Sequence, residues 1–170
     1  MPNKQVTITV AMTQDPNSNY WIPSSVSVSP DPVTIKLSQG TWTITFDMEA
    51  ASGSPPSAQL WFARNQAGWG SLNPVVFKPL TEDDVDFPAG WSEAQKEAFL
   101  ITAQNALNGV TSVPSNSNRS LATVTFDPTA LEPGQQLDIR LPYTLDYFIN
   151  VQGVSYGPNT FDPEVDIDPT

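Results

Sequence analysis

Carboxylates and aromatics are the residue types in this chain that could do chemistry. Its 170 residues include 18 Asp and Glu against seven Lys and Arg, a formal net charge of -11, and neither Cys nor His. Without Cys there is no disulfide, thiolate ligand or cysteine nucleophile; without His the commonest general base and the imidazole ligand are gone. A Ser-His-Asp triad cannot be assembled, and no Gly-x-x-x-x-Gly-Lys phosphate loop stands in the sequence. The acidic surplus repels a phosphate backbone, so no nucleic-acid partner is expected. One catalytic route survives, a pair of carboxylates flanking a glycosidic bond, and no pair among the acids is singled out by its spacing.

Two acidic groups stand out. Thr81-Glu-Asp-Asp-Val-Asp86 brings Asp83, Asp84 and Asp86 near enough in a curled loop to share a calcium ion, which takes oxygen ligands in flexible geometry. The segment lacks the Asp-x-Asp-x-Asp-Gly spacing of an EF-hand loop, and a solvated acidic loop is the competing reading. Asp162, Glu164, Asp166 and Asp168 alternate along the C-terminal stretch, so a strand would put four carboxylates on one face. Same-face neighbours in a strand lie about 7 Å apart, too far for one ion to gather all four, which favours a charged edge that resists aggregation.

The aromatics offer a binding surface. Trp42 belongs to an apolar face, whereas Trp61 points away from its neighbour Phe62, Trp21 follows Tyr20 in polar surroundings, and Trp69 lies between glycines. An exposed indole beside Asn, Gln or Asp suits the C–H face of a sugar ring, with polar groups taking the hydroxyls. Tyr20, Trp21, Trp61 and Trp69 are therefore candidate ligand-binding residues. The competing role is packing, since aromatics beside Gly and Pro commonly pin loops over sheet ends.

The elements that would position these residues are strands. Val6, Ile8 and Val10 alternate with threonines, as do Val33, Ile35 and Leu37 with polar residues, and Trp42, Ile44, Phe46 and Met48 share one face. Further strands are expected at Ala58 to Ala63, Ala122 to Phe126, Gln136 to Leu141, Tyr143 to Val151 and Glu164 to Ile167, with a short one around Val26 and Val28. Pro30-Asp-Pro, Ser54-Pro-Pro, Glu132-Pro-Gly and Asn150-Val-Gln-Gly153 supply breaks. One segment has a helical period: Ser92 as N-cap, Gln95 three residues on, then Phe99, Ala103, Leu107 and Val110. The expected fold is all-β in the main, a two-sheet antiparallel β-sandwich of about seven to nine strands with one α-helix inserted near 92–108. A single domain spans 1–170, with a loop-helix-loop insertion over about 65–120.

The stretch from Val26 through Pro30-Asp-Pro-Val33 to Gly40-Thr-Trp-Thr-Ile-Thr-Phe46 resembles the start of a cupredoxin-like or immunoglobulin-like sandwich. Pro142-Tyr-Thr-Leu-Asp-Tyr-Phe-Ile-Asn-Val151 and Phe161 to Asp168 resemble its last two strands. The resemblance implies a fold only. True cupredoxins carry Cys and His between those strands, and Gln152-Gly-Val-Ser-Tyr-Gly-Pro-Asn-Thr160 carries neither.

The functional expectation is a non-catalytic sandwich for binding or assembly. Its alternative is a carbohydrate-binding module, with calcium as the one cofactor considered, and a carboxylate-dependent glycoside hydrolase stands third. A protein partner, self-association or a glycan fits this expectation; membrane insertion does not. The N-terminus lacks the pattern of a secretory signal and no apolar run spans a bilayer, which points to the cytoplasm or to export without a Sec-type signal.

Overall fold

The computed structural model describes residues 1–55, 57–62, 75–114, 120–131 and 136–170. In chain order the strands are β1 (Asn3–Gln14), β2 (Trp21–Ser29), β3 (Val33–Lys36), β4 (Trp42–Ala50), β5 (Gln59–Phe62) and β6 (Val75–Phe77). The helix α1 (Glu93–Asn108) follows, then β7 (Ser112–Pro114), β8 (Leu121–Phe126), β9 (Ile139–Val151), β10 (Val154–Phe161) and β11 (Glu164–Asp168). They form a β-sandwich with the helix inserted, as the alternation and the capping signature predict.

One sheet runs β2-β1-β4-β8-β7. The other is organised on β9: β5 and β6 lie end to end along one edge, β10 and β11 along the opposite edge, and β3 adds beyond β11. Period-two alternation decides which side chains face the gap between the sheets. Val6, Ile8, Val10 and Met12 meet it from β1, Trp42, Ile44, Phe46 and Met48 from β4, and every second residue from Ile139 to Val151 from β9. Across the gap the rings of Phe46 and Tyr143 sit 5.1 Å apart, and those of Phe77 and Phe126 5.3 Å. Burying each large apolar side chain contributes about 1.5–3 kcal/mol, so this layer is the main source of stability.

Both sheets are mixed rather than purely antiparallel. β1 pairs with β4 in parallel, and β11 with β3. The reason lies in the route of the chain: after the β1–β2 hairpin it crosses to the other sheet as β3 and returns as β4 beside β1, and a strand that comes back by a crossover runs parallel to its neighbour.

Two further departures from the sequence reading concern β9. Pro142 was expected to separate two strands, yet β9 runs straight through it. A proline is tolerated where the ladder needs no donor: Pro142 turns its carbonyl to the β6 edge, where it accepts from Lys78 N–H at 2.9 Å just past the end of that strand, while Tyr143 N–H donates to the Pro163 carbonyl on the other edge at 3.0 Å. The segment after Val151, read as a loop, is largely strand β10. Gln152 and Gly153 both have positive φ, 53° and 80°, the requirement of a two-residue hairpin turn.

The helix starts as its sequence dictates. Ser92 accepts from Gln95 N–H at 3.2 Å while Ser92 N–H donates to the Gln95 side chain at 2.8 Å, a complete capping box. Phe99, Ala103 and Leu107 are buried, and Phe99 meets Phe87 and Trp91 edge-on, joining the helix to the preceding loop. Past the helix, the buried Ser112 hydroxyl bonds both Val75 N–H and Val75 C=O at 2.9 Å, tying β7 of one sheet to β6 of the other. No helix among the described residues is long and apolar enough to cross a membrane.

Candidate functional site

At one end of the sandwich, where β4 and β9 finish and β5 begins, a cleft of about 460 Å³ opens, walled by Glu49, Gln59, Trp61 and Ser120 with buried Met48 and Leu60. Strand alternation places these groups. In β5, Leu60 and Phe62 turn inward, leaving Gln59 exposed and Trp61 half-buried on the outer side. Register pairs Trp61 with Phe148 of β9, and their rings lie 5.9 Å apart with planes 24° from parallel. That stack holds the indole against the sheet and limits its rotamers. Glu49, the residue after buried Met48, is exposed on β4. Among the described residues neither Glu49 nor Gln59 spends its side chain on a hydrogen bond or ion pair. The wall thus combines an indole, a carboxylate and an amide, groups that can orient a polyhydroxylated ligand.

The remaining aromatic candidates fall elsewhere. Tyr20 is 53% exposed at the tip of the β1–β2 hairpin. There Asp15 accepts from Asn17 N–H at 2.9 Å and from the Ser18 hydroxyl at 2.7 Å, bonds that hold its carboxyl below the usual range. Trp21 opens β2 opposite Gln14 and packs, half-buried, against the core. Pairing of β1 with β4 ends at Val10 and Ala50, so this hairpin extends past the sheet at the cleft's end of the molecule. Neither residue joins the described cleft wall. Trp69 lies outside the described residues. Trp42 is in the core, its indole N–H donating to the Lys36 carbonyl at 2.9 Å.

The acidic candidates lie in and just after one turn, where Asp84 and Asp86 face different partners. Asp84 accepts from Thr81 N–H at 2.8 Å and the Thr81 hydroxyl at 3.0 Å, closing a short 3-10 turn over Glu82–Asp84. Arg140 of β9 reaches across to the Asp86 carboxylate at 3.1 Å and the Asp83 carbonyl at 2.6 Å. Glu82 pairs with Lys96 of α1 at 2.6 Å, which with Glu93 raises the lysine above its usual range. Among the described residues no group of three or more acids is gathered so as to hold a metal ion. Within β11, Glu164, Asp166 and Asp168 of the C-terminal row share a face, with Val165 and Ile167 buried behind it. Asp162 pairs with Lys78 at 3.0 Å, and Asp168 accepts from Thr170 N–H and hydroxyl, which lowers its carboxyl. Asp166 lies in a groove of about 230 Å³ with Asp86, Asp138, Arg140 and Asp168. Desolvation raises its carboxyl, Arg140 opposes that, and Asp138 and Asp31 add to it.

No protein-family model matches this chain, and comparison with curated proteins finds no match. The reading of the site therefore stands on its chemistry. Sequence reasoning picked out Trp61 and missed Glu49, Gln59 and Phe148. Alternation placed Phe148 and Glu49 on outer faces, but only strand pairing could bring β4, β5 and β9 together at one end.

Proposed function

We propose that the protein is a non-catalytic β-sandwich that binds carbohydrate in the cleft beside Trp61. The observation that carries this reading is an outward, half-buried indole, braced by Phe148, that forms a wall of a cleft together with Glu49 and Gln59. A sugar ring packs its C–H face on the indole while its hydroxyls donate to the carboxylate and exchange bonds with the amide. Hydrolysis by two acids needs a second carboxylate, and among the described wall residues Glu49 is the only one.

Assembly through sheet edges has less to support it. Beyond its pairing with β1, edge strand β2 carries Pro23 and a register shift, β3 has four residues, and β7 has three, ending at Pro114. Short, bulged and proline-bearing edges are devices that discourage edge-to-edge pairing.

The test is titration with a panel of soluble oligosaccharides, followed by tryptophan fluorescence and melting temperature, since a ligand that binds the native state raises the midpoint by mass action. The expected result is an emission shift and a higher midpoint with at least one glycan, both abolished in Trp61→Ala. A flat panel with folded protein would sink the reading.

A further inference from the structure

The wall of the cleft is asymmetric in charge. Glu49 is exposed there with no side-chain partner among the described residues, and no Lys or Arg is among the described wall residues. Asp47 lies two residues earlier on the same outer face of β4, and the chain as a whole carries a surplus of acids. Such a field repels uronate or sulfated sugars and concentrates cations. Glu49 and Trp61 both favour a cation, the carboxylate through charge-assisted hydrogen bonds and the indole through its ring face. Gln59 remains to meet uncharged hydroxyls.

We propose that this cleft selects a glycan bearing a free amine, of the glucosamine type, and that Glu49 is the residue that sets the preference. The inference rests on the carbohydrate reading above and narrows its ligand class. N-acetylation removes both the positive charge and part of the donor capacity of such a sugar while leaving its ring face intact. The acetylated counterpart is therefore the discriminating control.

The experiment is calorimetric titration of the full chain with short glucosamine oligosaccharides, their N-acetylated counterparts, neutral gluco-oligosaccharides and uronate oligosaccharides, at low and high salt, in the natural protein and in Glu49→Gln. The amine ligand is expected to bind at least about ten-fold more tightly than the acetylated one, a preference worth about 1.4 kcal/mol. Glu49→Gln and high salt should both erase that preference, and because the Glu49 carboxylate also accepts sugar hydroxyls, Glu49→Gln should weaken a neutral glycan too, by less than it weakens the amine ligand. Because Glu49 is exposed, the variant is expected to fold, and an unchanged melting temperature verifies it. Equal affinity for the amine and acetylated ligands, or a preference that survives Glu49→Gln, overturns the inference while leaving carbohydrate binding in place. Absence of binding to every sugar overturns both.

Discussion

Strand β9 has two ends with opposite characters. At its start, Arg140 is bonded to Asp86 and to the Asp83 carbonyl, Asp84 is bonded to Thr81, and Glu82 to Lys96. The charged groups there serve one another and fasten a loop and a helix to the sheet. At its far end, Phe148 braces Trp61 beside a cleft where Glu49 and Gln59 have no side-chain partner among the described residues. The difference teaches that a concentration of charge is a poor guide to a binding site. Polar groups that satisfy each other hold the fold together, and unspent ones beside a fixed ring face are what a ligand can use.

Four changes would break or sharpen that contrast, taken from the largest expected effect downward. Trp61→Ala should weaken glycan binding by at least about ten-fold, or about 1.4 kcal/mol, as read by titration, with the protein still folded although the stack on Phe148 is lost. If binding persists, the far end of β9 is not the site. Arg140→Ala should do the reverse, lowering unfolding free energy by about 1–2 kcal/mol in urea titration, with glycan affinity unchanged, because a charged donor to a carbonyl and an exposed ion pair are both lost. A loss of affinity with intact stability would contradict the division between the two ends.

Midway along the strand, Tyr143 is fully buried between Phe46 and Phe77, and its hydroxyl has no hydrogen-bond partner among the described residues. Burial pushes this phenol well above its usual range. Tyr143→Phe should therefore gain about 1 kcal/mol, since it removes an unsatisfied buried hydroxyl and keeps the ring packing. Destabilisation would mean that the hydroxyl is satisfied after all.

The smallest effect concerns Asp166, whose folded-state carboxyl is raised by desolvation. A raised acid penalises the fold when ionised, so its cost is full at neutral pH and fades as pH falls through the folded value. Asp166→Asn should raise the melting temperature slightly at pH 7, and the advantage should shrink on acidification. An advantage that stays constant with pH would rule out the carboxylate as its source.

Much of the architecture was legible along the chain. The faces of β1 and β4 follow from two-residue alternation, α1 from Ser92 and Gln95 with the spacing of Phe99, Ala103 and Leu107, and the outward direction of Trp61 from its position before Phe62. These are local properties, settled by sterics, capping and the solvent preference of each side chain. The tertiary structure alone decided that β4 lies parallel to β1, that β9 continues through Pro142, and that β10 replaces an expected loop. It also decided that Glu49 and Gln59 share a cleft with Trp61, which stacks on Phe148, while Asp84 turns to Thr81 and Asp86 to Arg140. The physical reason is that alternation specifies a face but not a neighbour: which strand pairs with which, and in what register, is set by the packing of two sheets over a common core, whose contacts are distant in the chain.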